Sequence, residues 1–136
     1  MSFQKIRARI ESQVAAGFSV PVVFDNVQET PPSLPYAICL ISYSDTTEPV
    51  LCPNGEAVEN IRGNLQLSIY SSRGQGMGPL ESLAAEGMAI MNTMYDKTAD
   101  AQVKCGQILG PVPVLAGTEP DALVTLSCPF TAVCRT

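Results

Sequence analysis

The chain has 136 residues, 46% hydrophobic and 15% charged, with net charge −5 and no histidine. These totals fit one domain with its own apolar core and argue against a disordered tail. With no run of 18 apolar residues, they also argue against a membrane-spanning helix.

In chain order, Ser2 is a candidate cap for a first helix. Phe3, Ile6, Ile10 and Val14 form its apolar stripe, with Lys5, Arg9 and Gln13 off it, and Gly17 is a natural stop. Residues 20–24 (Val-Pro-Val-Val-Phe) read as a short edge strand, because Pro21 has no N–H for a ladder. The prolines at 31, 32 and 35 make a stiff connector. Tyr36 to Tyr43 is almost continuously apolar, which predicts a central strand covered on both faces by the two helices.

Asp45 to Asn54 holds Thr46, Thr47, Glu48, Pro49 and Pro53, and Asn54-Gly55 is its tightest turn signal. It reads as a long loop or the tip of a projecting hairpin, with Glu56 to Ile61 as its return arm. Asp45, Thr46, Thr47, Glu48, Glu56 and Glu59 are the candidate assembly contacts. From Arg9 to Arg62 no Lys or Arg intervenes, whereas seven acids do. Such a surface repels nucleic-acid phosphates or simply aids solubility.

Leu65, Leu67 and Ile69 alternate with Asn64, Gln66 and Ser68, marking a half-buried strand. Gly74, Gly76 and Gly78 then form a structural turn needing positive φ. Pro79 suits the first position of a second helix, whose stripe includes Leu80, Leu83, Ala84, Gly87, Met88, Met91 and Met94. Ala101 to Cys105 is a strand. Gly106 to Asp121 reads as irregular, with a short extended piece near Ile108. Ala122 to Val133 is the last strand, where Pro129 suggests an edge or a bulge. The result is α+β: a single mainly antiparallel sheet packed with two helices, with a long projecting hairpin or loop, in one domain spanning 1–136.

No reaction chemistry stands out. The glycine loop lacks both the Gly-x-Gly-x-x-Gly and the Gly-Lys-Ser/Thr patterns, and no imidazole is present to activate a nucleophile. Cys39, Cys52, Cys105, Cys128 and Cys134 are odd in number and never spaced Cys-x-x-Cys, so neither zinc nor a disulfide framework is expected. Cys39 and Cys128 read as small core hydrophobes, and Met88, Met91 and Met94 as core packing. The first residues lack the apolar stretch of a signal peptide, so the expectation is synthesis and retention inside a cell. No catalytic residue, cofactor or metal is expected.

Three segments carry a resemblance. The first is the N-terminal helix followed by residues 22–27 (Val-Val-Phe-Asp-Asn-Val) and Pro31-Pro32. The second is residues 62–70 (Arg-Gly-Asn-Leu-Gln-Leu-Ser-Ile-Tyr), then Gly74-Gln75-Gly76 and a long helix. The third is residues 123–130 (Leu-Val-Thr-Leu-Ser-Cys-Pro-Phe). In order and spacing the chain resembles the small tail terminator proteins of lambda-like and related long-tailed phages. It carries Ser71-Ser72 where such proteins often have a proline.

The resemblance implies an α+β subunit that assembles into a ring, typically a hexamer. Such a ring caps the tail tube protein, offers a surface to neck or connector proteins, and meets the sheath protein in contractile tails. The expected location is the tail–neck junction of a virion, after synthesis in the host cytoplasm. A neck or head–tail completion protein is the alternative. A small cytosolic enzyme or nucleotide-binding protein is a more distant one.

Overall fold

The computed structural model describes residues 2–24, 33–46, 50–51, 57–72, 74, 77–99, 101–114 and 121–135. Its elements are α1 (Ser2–Gly17), β1 (Val22–Phe24), β2 (Tyr36–Thr46), β3 (Val50–Leu51), β4 (Ala57–Ser72), α2 (Gly78–Asn92), β5 (Ala101–Cys105), β6 (Leu109–Val114) and β7 (Asp121–Arg135). Among the described residues they make one seven-stranded sheet in the order β1-β2-β4-β7-β5, with β3 beside β4 and β6 beside β7. Every pairing is antiparallel except β1 with β2. The fold is α+β, as the alternation of strand and helix patterns requires.

The spine is the β4–β7 ladder, unbroken from Val58–Arg135 to Ser72–Asp121. At about 3.3 Å per residue, β4 is roughly 50 Å long. Ile61, Leu65, Leu67 and Ile69 of β4 and Val124, Leu126, Cys128 and Ala132 of β7 are fully buried on one face. Ile6, Ile10 and Val14 of α1 and Leu80, Ala84 and Met91 of α2 close over that face. Each fully buried Leu or Ile contributes about 1.5–3 kcal/mol, so this face dominates stability.

Both helices lie on this one face and touch each other, which corrects the expectation that β2 is covered on both sides. Ala37, Cys39 and Ile41 are buried beneath them, whereas Leu40, on the opposite face, is 41% exposed. The near-continuous apolar run is therefore a half-buried strand with an apolar outer face.

Gly17 ends α1 by a different device from a left-handed cap. A Cβ there would collide with Ile90 Cγ1 and come within 2.7 Å of its Cδ1, so glycine permits the close crossing of the two helices. Arg9 is not a purely solvated side chain either. It is half-buried and its guanidinium donates to the Met94 carbonyl at 3.1 Å, tying α1 to the segment after α2. Beyond α2, the Asp96 carboxylate accepts from the Thr98 hydroxyl at 2.7 Å and its backbone N–H at 2.9 Å. These bonds hold its pKa below the ordinary value.

Two further expectations change. The region read as irregular contains β6, a strand despite Pro111 and Pro113, since an edge position does not need their N–H groups. Gly110, at φ +110°, lies within the register shift between Leu109 and Val112. Conversely, β7 is an interior strand. Its Pro129 is tolerated because β5 and β6 pair with β7 end to end, leaving a break opposite that residue. The Pro129 carbonyl accepts from Gly106 N–H at 2.7 Å, so the missing N–H would point to the same side, into the break.

Candidate assembly surface

In the segment singled out in the sequence, 45–61, the described residues are ladder. β2 continues to Thr46, with Asp45 opposite Arg62 and Thr46 opposite Ile61. β3 then pairs Val50 with Val58 and Leu51 with Ala57. The hairpin therefore exists, but its return arm is the start of β4, and Ile61 belongs to the core at 0% exposure. Of the candidate contacts, Asp45 and Thr46 lie in β2, and Glu59 lies in β4 opposite Cys134. Thr47, Glu48 and Glu56 lie outside the described residues. The backbone register also sets a basic residue, Arg62, opposite Asp45, a pairing the one-dimensional charge count does not reveal.

The root of the hairpin is held by aromatic packing over a glycine. Phe3 meets Tyr43 edge-on at 4.6 Å between centroids, and Tyr43 meets Phe130 at 6.2 Å. The Tyr43 hydroxyl donates to the Phe3 carbonyl at 3.4 Å. Gly63 pairs with both Tyr43 and Phe130, and the β2 register shifts immediately beyond, between Tyr43 and Asp45. Such a shift re-aims a strand, and β2 resumes its pairing with β4 beyond it at Asp45 and Thr46.

The face turned away from the helices is the larger feature. Tyr36 and Tyr70 stack on it at 5.0 Å, and Gln66 Nε2 donates to Ser68 Oγ at 3.4 Å. The ladder places Leu40 of β2 and Leu109 and Val112 of β6 on this same side. They are 41%, 56% and 54% exposed. Between Leu40 and the two β6 residues the ladder sets polar side chains, Gln66 and Ser68 of β4 and Ser127 and Thr125 of β7. Half-buried Ile38 lies next to Leu40, and half-buried Tyr70 and Leu123 continue the row of Tyr36. This face thus carries exposed apolar side chains on both sides of a polar strip. The sequence did carry a signal for it: Leu40 and Ile38 occupy the outward positions of β2, where a solvated strand would place polar residues.

The glycine turn is structural in part. Gly74 has φ +89° with open space around it, as a turn demands. Gly76 lies outside the described residues. Gly78 is the first residue of α2, not a turn residue, which makes Pro79 the second helical residue. An N–H at that position has no helical acceptor, so its absence costs nothing. Met77 precedes the helix without a side-chain cap.

Two concavities are lined by described residues. One, of about 300 Å³, lies where α1 and α2 cross and is lined by Gln13, Gly17, Glu86, Ile90 and Thr93 among others. Its carboxylate is already engaged: Glu86 accepts from the Ser19 N–H at 2.9 Å and the Ser19 hydroxyl at 3.0 Å. The other, of about 170 Å³, lies beside Cys105 at the break between β5 and β6. Among the described residues no group of three or more Cys, Asp or Glu is placed to hold a metal ion. No helix among them is long and apolar enough to cross a membrane.

No family model matches the chain, and no curated protein does. A solved structure whose name states no function is similar to it over 97% of this chain and 96% of its own length. The TM-score is 0.72 at 21% identity, a likeness of fold.

Proposed function

We propose that this protein is a structural virion component that forms a ring, of hexameric order as its resemblance to tail terminators implies, and caps the tail tube. The ring ends tube growth and presents a surface to neck proteins, and to the sheath where the tail is contractile. One observation carries the reading: a sheet face bearing exposed Leu40, Leu109 and Val112. Its occupant in this reading is the neighbouring copy of the chain.

Native mass measurement, alone and with purified tail tubes as template, tests it. Rings that bind tubes support the proposal. Monomer under both conditions overturns it, and rings that bind only portal or connector complexes favour a neck protein instead. Leu40→Glu and Val112→Glu separate the face from the fold. Both side chains are substantially exposed, so each variant should stay within about 0.5 kcal/mol of the parent stability. Each should nevertheless lose ring formation at least tenfold, since a charge in an apolar contact is left without a partner. Unchanged assembly would remove the face from the interface.

The hairpin is proposed to supply further contacts, and its acids to line the hole through which DNA passes. Replacing residues 47–54 with a Gly-Ser link should weaken ring formation or tube capping. Glu56→Lys with Glu59→Lys should give rings with new, salt-sensitive DNA affinity. If shortened rings still cap tubes, the contact role fails. If charge-reversed rings ignore DNA, the lumen role fails.

A further inference from the structure

Cys105 closes β5 and pairs with Phe130 of β7. Cys128 lies two residues before Phe130, so both sulfurs belong to the helix-side face of the sheet, diagonally across one strand pair. They differ in access. Cys128 is fully buried, whereas Cys105 is half-buried and forms a wall of the 170 Å³ cavity with Lys104, Gly106, Pro129 and Thr131.

The two thiols are hydrogen-bonded to each other. That bond lowers the Cys105 pKa, and the Cys128 pKa is raised by the same bond and by burial. The pair thus combines one half-buried sulfur at the end of a strand, its pKa lowered, with one sheltered thiol in contact with it. These are the features of an attacking and a resolving cysteine.

We propose that Cys105 and Cys128 form a peroxide-responsive dithiol that closes to a disulfide and fastens the end of β5 to β7. The Cys105 thiolate attacks one oxygen of hydrogen peroxide. The O–O bond breaks, and the departing hydroxide takes a proton to leave as water, giving a sulfenic acid at Cys105. The Cys128 sulfur then attacks the Cys105 sulfur. The S–O bond breaks, and the hydroxyl leaves as water with the Cys128 proton. Both sulfurs are oxidised by one electron each, and the peroxide is reduced to two waters. The end of β5 can adjust to this closure because it sits at the break in the edge, held there by the Gly106 to Pro129 hydrogen bond.

The test is hydrogen peroxide treatment of the folded chain, followed by thiol counting in denaturant and peptide mapping. Cleavage after Lys104 and before Asp121 puts the two cysteines on different peptides. The expected result is loss of two of the five thiols, a chain lighter by two hydrogens, a Cys105–Cys128 linked peptide pair, and full reversal by dithiothreitol. The thermal midpoint of the oxidised chain should rise. Cys105→Ser should protect Cys128 from the same peroxide dose. Cys128→Ser, or Cys128→Ala where the serine variant does not fold, should leave a sulfenic acid at Cys105 that dimedone traps. Overoxidation of Cys105 in the wild-type chain without a link overturns the proposal. So does a link through Cys39, Cys52 or Cys134, or oxidation of Cys128 in the Cys105→Ser variant.

Discussion

Leu67→Asp should abolish folding. Leu67 lies in the middle of β4, paired with Cys39 on one side and Leu126 on the other, at 0% exposure. Its side chain reaches the point where α2 comes closest to the sheet, within 3.4 Å of where a Cβ on Gly87 would stand. A carboxylate there has no cationic partner among the surrounding core residues, which are all apolar. It must either stay charged in an apolar medium or fold protonated, and in both cases the leucine packing is lost. The combined loss should exceed about 4 kcal/mol, a large share of a domain's total stability. Circular dichroism and urea titration of the purified variant check this. A folded but monomeric Leu67→Asp chain would instead place Leu67 on an assembly face and overturn the packing described here. Leu40→Glu is the matched control, since Leu40 on β2 points to the uncovered side.

Gly63→Ala should be strongly destabilising. A Cβ at Gly63 would overlap the Ser42 carbonyl oxygen and stand 2.6 Å from Phe130 Cζ. The phenyl ring has some room to turn, but Ser42 is backbone of the neighbouring strand, and moving it breaks the β2–β4 ladder where the register already shifts. Overpacking of this kind typically costs about 1–3 kcal/mol, and a backbone obstacle puts the expected loss at the upper end.

Gly87→Ala should cost less. Its nearest obstacle is Leu126 Cδ1 at 2.8 Å, the far end of a flexible side chain. Urea midpoints for the two variants give the ranking. Adding Phe130→Ala to Gly63→Ala should not restore stability, because the carbonyl remains. Recovery in that double variant would show that the ring, and not the strand, is the obstacle. The same substitution should disturb assembly through the hairpin, whose root rests on this glycine.

The amphipathic patterns explain why so much of the fold is visible in one dimension. Leu65, Leu67 and Ile69 alternate with polar residues, and alternation survives in any sheet that buries one face. Ile6, Ile10 and Val14 recur at helical spacing for the same reason, and all are at 0% exposure. Pro21 and Pro129 illustrate the opposite case. Both remove an N–H, and the sequence cannot say whether that N–H was needed. Pro21 immediately precedes the true edge strand β1, and its carbonyl accepts from Ala37 N–H at 3.0 Å. Pro129 lies in the second-longest strand of the sheet, excused by a break in the neighbouring edge.

Local chemistry therefore determined the elements: two helices by their 3.6-residue stripes, the long strands by alternation, and the Gly74 turn by its need for positive φ. Tertiary structure alone decided what those elements face. It put both helices on one side and left Leu40, Leu109 and Val112 uncovered. It also set Asp45 opposite Arg62, and brought Cys105 beside Cys128 across β5 and β7. The physical reason is that a periodic pattern fixes which side chains share a face, whereas cover, register and long-range pairing depend on contacts between residues far apart in the chain.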